Sequence, residues 1–244
     1  MEYKMPIIKS YTNEKGLKFP DWEVMSPGEH PIHKHYGDVW IKWDKGHDVT
    51  RPNFKYSTSK WEQSLIDMYE ILFDPFKHIP ITLLEFGVYG GESIRYFRDF
   101  FTHPDTKIVG LDRSLCEAYG TCGPYAGNKH NVFLEQGNQA NSADIKRVCD
   151  KFGPFDVIID DASHDVSLTD ACFRDAWPHL AEGGLYLIED VLLPKLAYLL
   201  DEIVLTKQGK GFTSAEAIGF GPQASRSRLI VLKKTKDTIT GLEL

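Results

Sequence analysis

Two short apolar runs that both end in acidic residues constrain this chain more than any other feature. Residues 157–159 run into an Asp-Asp pair at 160–161, and residues 185–188 run into a Glu-Asp pair at 189–190. Short apolar runs bounded by turn residues predict buried strands. In an open parallel α/β sheet, the carboxyl ends of the strands line the ligand-binding crevice. We therefore expect the two acidic pairs to lie together at that edge.

Converging carboxylates favour a bound cation, because they repel one another unless a positive charge neutralises them. Asp161, Glu189 and Asp190 offer hard oxygen ligands, which suit Mg²⁺, Mn²⁺ or Ca²⁺. His164 follows Asp161 by three residues, where a general base would be placed. Each acid alone is more often a solvated strand end, and the histidine a helix cap. Their coincidence at two strand ends favours a metal site.

A glycine-rich turn upstream predicts a cofactor cradle. The motif runs from Glu85 through Gly87, Tyr89 and Gly91 to Ser93, between a strand and a helix. Tyr89 stands where a dinucleotide fingerprint has its second glycine, which disfavours an NAD-dependent oxidoreductase. Glu85 would repel a phosphate but suits an ammonium group. The amino-acid end of S-adenosylmethionine therefore fits, with its carboxylate at Ser93 and the helix N-terminus.

The next two strand ends extend the predicted cofactor site. Asp112 ends the second strand about 20 residues past the glycine turn, where an acid typically accepts hydrogen bonds from ribose hydroxyls. A helix cap is the alternative interpretation of Asp112. Asn138 and Gln139 follow the third strand and could contact the adenine edge, although plain turn chemistry explains them equally well.

The composition limits the classes of partner. The 244 residues allow one sizeable α/β domain, and 42% hydrophobic with 26% charged residues is ordinary for a soluble globular protein. A net charge of −7 argues against a nucleic-acid partner. No apolar run approaches the roughly 20 residues that span a bilayer, and residues 1–16 lack a signal-peptide core. We expect a cytoplasmic protein without a membrane partner.

The chain divides into an arm and a domain. Residues 1–56 show no clean periodicity and predict an irregular N-terminal arm or substrate lid, and residues 57–244 predict the catalytic domain. The aromatic residues of the arm suggest subunit contacts, so we expect a homo-oligomer. The arm also carries His30, His33, His35 and His47. Their spacing permits a metal site, but such clusters are more often polar loop residues.

Strand and helix patterns alternate through the domain and predict a doubly wound, mostly parallel α/β sheet. Ser59 opens a capping box that predicts the start of a packing helix, and Pro75 and Pro80 predict its end. Residues 215–220 and 228–233 predict an antiparallel pair of strands at the sheet edge.

The motifs LLEFGVYGGESI, VIIDDASH and GGLYLIEDV resemble those of the macrocin-type sugar O-methyltransferases, which are metal-dependent class I S-adenosylmethionine-dependent enzymes. The resemblance covers roughly residues 57–195. It implies a Rossmann-like sheet of seven strands. It also implies that Asp161, Glu189 and Asp190 bind Mg²⁺ and that His164 is the catalytic base, with Asp161 the second catalytic residue.

Two positions depart from the pattern of that family. Ala162 stands where the family usually has glycine, a small change that leaves the ligands in place. Asn138 stands where aspartate is common, which removes a charge from the expected adenosine contacts. Asp160, next to the first metal ligand, is placed among the cofactor-binding residues.

The predicted function is Mg²⁺-dependent methyl transfer from S-adenosylmethionine to a hydroxyl of a sugar or glycosylated natural product, of the kind found in antibiotic biosynthesis. The expected partner is a small-molecule glycoside or polyol. Catechol-type enzymes share the 28-residue spacing from Asp161 to Glu189. They use lysine as base, so the sugar family fits better, and a catechol or polyketide-diol acceptor is the alternative. A non-catalytic S-adenosylmethionine-binding subunit is a third reading, against which the intact acids and His164 argue.

Overall fold

The fold was analysed in a computed structural model of the chain. The residues that it describes are 5–12, 18–25, 60, 65–115, 118, 126–127, 130–191, 212–218 and 229–234. Two strands precede the domain, β1 (Met5–Thr12) and β2 (Lys18–Met25). The elements that follow are α1 (Leu65–Phe73), β3 (Thr82–Phe86), α2 (Glu92–Phe100), β4 (Lys107–Asp112), β5 (Val132–Gln136), α3 (Ser142–Phe152), β6 (Phe155–Asp160), α4 (Val166–Ala176), β7 (Leu180–Ile188), β8 (Phe212–Ile218) and β9 (Leu229–Lys234). None of the described helices has the length and apolarity needed to cross a bilayer.

The main sheet is mostly parallel and ends in an antiparallel pair. Within the described part of the chain, its strand order is β5-β4-β3-β6-β7-β9-β8. The strands from β5 to β7 pair in parallel, whereas β9 pairs antiparallel with both β7 and β8. The predicted doubly wound α/β fold with an antiparallel edge pair is confirmed. The strand order reverses between β3 and β6, and ligands of such sheets bind beside this switch point.

Two hydrophobic layers cover the two faces of the sheet, because successive side chains of a strand point to opposite faces. In β6, Val157 and Ile159 belong to the layer that contains α1 and α2. Ile158 belongs to the opposite layer, with α3 and α4. The same alternation decides which polar groups at the strand ends meet.

An aromatic cluster holds α1 and α2 on the first face. Tyr69 stacks on Phe73 with ring centroids 5.2 Å apart, and Phe97 of α2 lies 5.4 Å from Tyr69 and 6.1 Å from Phe73. The helix α1 ends at Phe73, where a 3₁₀ turn that contains Pro75 follows, as the prolines predict. The predicted start at Ser59 lies outside the described residues.

The prediction of irregular structure in the N-terminal arm is wrong for part of it. β1 and β2 form an antiparallel hairpin, with Met5 paired to Met25 and Thr12 to Lys18. Pro20 lies inside β2, and a proline within a run argues against a strand because it has no amide hydrogen to donate. A two-stranded hairpin leaves the outer edge of each strand unpaired, so it tolerates that loss. Residues 26–56 of the predicted arm or lid, with its four histidines, lie outside the described residues.

Truncation of Phe97 is expected to destabilise the domain strongly, because its fully buried ring bridges the two helices. Phe97→Ala should lower the free energy of unfolding by about 3–5 kcal/mol in urea denaturation. Ile79→Ala is the control, since Ile79 is 49% exposed, and it should change stability by less than about 0.5 kcal/mol. Equal effects of the two substitutions would contradict the assigned role of the cluster.

Candidate active site

A cleft of about 450 Å³ opens at the carboxyl edge of the sheet, beside the switch point between β3 and β6. The predicted site residues that line it are Gly87, Tyr89, Asp112, Asn138, Gln139, Asp161, His164 and Asp190. The cleft therefore gathers the glycine turn, the ends of β4 and β5, and both acidic pairs, as the strand-end argument predicts.

Asp112 shapes the glycine turn. Its Oδ2 accepts hydrogen bonds from the backbone N–H groups of Val88 (2.8 Å) and Tyr89 (2.9 Å), and its Oδ1 accepts one from Ser114 at 3.0 Å. The carboxylate thus holds the turn after β3 against the end of β4. Asp112 also lines the cleft, which is compatible with the predicted ribose contact.

Gly87 lets the turn after β3 touch the end of β6. Its φ is +87°, and an added Cβ would lie only 2.1 Å from the backbone oxygen of Asp161. A side chain there would push the two strand ends apart. Gly91 precedes the first turn of α2 and has a φ of +79°. Both glycines therefore adopt a positive φ that other residues rarely adopt.

Glu85 and Ser93 contact each other rather than the cleft. Glu85 is fully buried, and Ser93, which is 5% exposed, donates a hydrogen bond to Glu85 Oε2 at 2.7 Å. Their contact with the amino-acid end of the cofactor stays a prediction, and in the structure both side chains face the buried layer. The physical reason is strand alternation: Glu85 pairs in register with Ile159, whose side chain points into the layer that contains α2.

Three potential metal ligands converge at the cleft. One ligand atom each of Asp161, His164 and Asp190 lies within 4.8 Å of the others. His164 Nε2 is 3.8 Å from Asp161 Oδ1 and 3.9 Å from Asp190 Oδ2. His164 and Asp190 have φ values of 53° and 52°, a left-handed conformation that costs energy for residues other than glycine. Such backbone strain is concentrated at functional sites.

Lys60 lies among three carboxylates and was not predicted as a site residue. Its Nζ donates to Asp161 Oδ2 at 2.6 Å and to Glu189 Oε2 at 2.5 Å, and lies 3.6 Å from Glu85 Oε1. Burial lowers the pKa of Lys60, but the charges of the three carboxylates outweigh it and raise that pKa overall. No motif in the sequence distinguishes Lys60 from a solvated lysine.

Glu189 lies against Lys60 and outside the converging group of three. It is 2% exposed, and strand alternation after Leu187 turns its side chain toward the face that Lys60 occupies. Burial raises the pKa of Glu189, and the Lys60 ammonium opposes that rise. Burial likewise raises the pKa of Glu85 to about 7, again opposed by Lys60. Asp161 and Asp190 belong to the converging group, and the predicted metal set of Asp161, Glu189 and Asp190 stays a prediction.

Asp160 points away from the cleft, and its contact with a cofactor stays a prediction. It is 2% exposed and accepts a hydrogen bond from Gln139 Nε2 at 3.1 Å. Alternation along β6 places it on the face opposite Asp161. Burial raises the pKa of Asp160 to about 7. Gln139 lines the cleft, and Asp160 accepts its hydrogen bond from the buried side.

Residues 84–191 match a family model described as a methyltransferase domain. The matched stretch, just under half of the chain, is similar to a methyltransferase domain. A curated relative, 8-demethyl-8-(2-methoxy-alpha-L-rhamnosyl)-tetracenomycin-C 3'-O-methyltransferase of Streptomyces olivaceus, is 30% identical over 153 residues, which cover 59% of this chain and 37% of the relative. Demethylmacrocin O-methyltransferase of Streptomyces fradiae is 28% identical over 156 residues, covering 59% and 36%. The resemblance to macrocin-type sugar O-methyltransferases is confirmed.

The solved structures agree with the fold of the methyltransferase domain. A methyltransferase from the mycinamycin biosynthetic pathway, in complex with Mg, SAH and mycinamycin VI, has 20% identity and a TM-score of 0.55, with 86% of this chain and 56% of that chain covered. At this identity the likeness shows the fold alone. The chain spans just over a third of the length of the curated relatives described above.

Substitution of Asp160 is expected to change how stability depends on pH. The pKa of Asp160 is raised, so between about pH 4 and 7 the folded protein binds more protons than the unfolded chain. Its free energy of unfolding therefore falls by up to about 1.4 kcal/mol for each unit by which the pH rises. Asp160→Asn removes this loss and keeps an acceptor for Gln139. In urea denaturation, the free energy of unfolding of the variant, relative to that of the wild type, should rise by about 1–2 kcal/mol from pH 5.5 to pH 8.

Asp150→Asn is the matched control, since Asp150 is exposed and pairs with Lys146 on the surface of α3. Its difference from the wild type should stay constant across the same range. A pH-independent difference for Asp160→Asn would contradict the assigned burial of that charge.

Proposed function

We propose that this chain transfers the methyl group of S-adenosylmethionine to a hydroxyl of a sugar or glycosylated small molecule, with a divalent cation at the acidic centre. The observation that carries the proposal is the convergence of Asp161, His164 and Asp190 beside a cleft that also contains the glycine turn and Asp112. The names of the curated relatives, which methylate sugar hydroxyls, support the class of acceptor.

The cofactor would lie along the ends of β3, β4 and β5. Asp112 borders the cleft with a carboxylate that backbone amides hold in place, so it can accept hydrogen bonds from ribose hydroxyls without moving. Asn138 and Gln139 border the part of the cleft where adenine would lie. Tyr89 is 80% exposed at the turn, so its ring is available to cover a bound molecule.

The donor set fits a hard divalent cation such as Mg²⁺. Asp161 and Asp190 supply carboxylate oxygens, which Mg²⁺ and Mn²⁺ prefer. Among the described residues, Oε1 of buried Glu189 has no hydrogen-bond partner, so it is a further oxygen for which a cation would compensate. When bound, the cation would lower the pKa of a substrate hydroxyl and orient it toward the methyl group.

We assign His164 as the general base. Its side chain is 39% exposed, so a substrate hydroxyl can reach it, and its Nε2 lies within 4 Å of carboxylate oxygens of Asp161 and Asp190. The hydroxyl proton moves to the imidazole as the hydroxyl oxygen attacks the methyl carbon. The C–O bond forms while the C–S bond breaks, and its electron pair returns to sulfur. The neutral thioether product is S-adenosylhomocysteine.

Calorimetric titration with S-adenosylhomocysteine tests the cofactor assignment. The wild type should show saturable binding, and Asp112→Ala should weaken it by about tenfold to a hundredfold, because it removes a charged acceptor and loosens the turn. Asp105→Ala is the control, as Asp105 lies at the opposite end of β4. No binding by the wild type would overturn the proposed function.

Replacement of His164 separates binding from chemistry. His164→Ala should keep S-adenosylhomocysteine binding but lower turnover by about 10²–10⁴-fold, since a positioned base contributes that much. The assay is methyl transfer from labelled S-adenosylmethionine to a panel of rhamnosides with and without Mg²⁺. Near wild-type turnover of the variant across pH would exclude His164 as the base.

The homo-oligomer inferred from the aromatic arm stays a prediction, as do the cytoplasmic location and the role of residues 1–56 as an arm or lid.

A further inference from the structure

Lys60 binds one oxygen of each of two carboxylates, Asp161 at the cleft and the buried Glu189. Oδ2 of Asp161 accepts a hydrogen bond from Lys60, while its Oδ1 faces His164 at 3.8 Å. Oε2 of Glu189 also accepts from Lys60, while its Oε1 is buried and, among the described residues, has no hydrogen-bond partner. The ammonium thus already acts as a cation for both carboxylates and leaves one oxygen of each for a second cation.

We propose that Lys60 is a built-in counter-cation of the active centre, which offsets the charge of the carboxylates without a divalent ion and weakens the binding of that ion. The inference rests on the metal site of the proposed function. It makes Lys60 a positioning residue, since its ammonium touches Asp161 and Glu189 rather than the reacting groups.

Lys60 is held in place from several sides. Its backbone oxygen accepts a hydrogen bond from Leu65 N–H at 2.9 Å, which ties it to the start of α1. Its side chain is 5% exposed, and its Nζ lies 5.8 Å from the centroid of the Tyr69 ring, a distance at which a cation is attracted to the ring face. The ammonium therefore cannot turn toward solvent without breaking contacts with both α1 and the acids.

The direction of the effect follows from how the acids are placed. Asp161 N–H donates to Phe86 O at 2.9 Å, and Glu189 N–H donates to Asp160 O at 2.9 Å, so the backbone positions both residues without help from Lys60. Removal of Lys60 thus costs little of their placement. It removes a positive charge that repels a divalent cation across a poorly solvated site, where charges interact more strongly than in water.

The test measures Mn²⁺ binding to the full chain by electron paramagnetic resonance at constant pH. Lys60→Met keeps the length of the side chain and removes its charge. It should bind Mn²⁺ about tenfold more tightly or better than the wild type. Lys151→Met is the matched control, because it removes a lysine that donates a hydrogen bond to Glu135 at 2.6 Å and does not line the cleft. It should leave Mn²⁺ affinity unchanged.

Thermal unfolding gives a second readout. In EDTA the melting temperature of Lys60→Met should fall well below that of the wild type, and saturating Mn²⁺ should recover most of the difference, because the ion replaces the missing charge. The wild type should respond much less to Mn²⁺. Lys60→Gln, which keeps a hydrogen-bond donor without a charge, should behave in the same way and serves if Lys60→Met does not fold in EDTA.

Equal or weaker Mn²⁺ binding by the two Lys60 variants would overturn the inference, and so would variants that Mn²⁺ fails to stabilise. Absence of Mn²⁺ binding by the wild type would overturn it as well. Failure of the proposed function is a separate result, because it is measured as absence of S-adenosylhomocysteine binding by the wild type, whereas this inference is measured as Mn²⁺ binding by the Lys60 variants.

Discussion

Mutual repulsion of carboxylates at one edge of the sheet is the constraint on which the site depends. Glu85, Asp161 and Glu189 face the same side of the strands, because side chains of a strand alternate and their neighbours Ile159 and Leu187 point into the same layer. Unpaired charges buried in this way would destabilise the fold. The Lys60 ammonium lies against all three, and Oδ1 of Asp161 faces His164 at the cleft.

The scaffold brings these groups together through backbone contacts. The strand order reverses between β3 and β6, so the turn after β3 and the end of β6 are neighbours. Gly87 allows their backbones to touch, and Asp112 holds the turn from the other side. The cofactor cradle and the acidic centre therefore share one wall. This sharing makes methyl transfer to a hydroxyl at the acidic centre geometrically reasonable.

Much of the fold could be predicted from the sequence, since strand runs, the glycine turn and acidic strand ends are local patterns. Local patterns show less well which way the side chain at a strand end points. Glu85, Ser93 and Asp160 lie beside the cleft in sequence but face the two buried layers. Lys60 was missed because its partners are 101 and 129 residues away, and no local pattern encodes such a contact. The hairpin of β1 and β2 was missed because Pro20 interrupts its pattern.

A crystal of the full chain grown with S-adenosylhomocysteine and Mn²⁺ would test the central claim most directly, through the anomalous scattering of manganese. The account predicts one strong anomalous peak within coordination distance of Asp161 and Asp190, on the side of Asp161 away from Lys60, with the cofactor product along Asp112. A peak at another place, or none at saturating Mn²⁺ with the product bound, would contradict a metal-assisted methyl transfer at this centre.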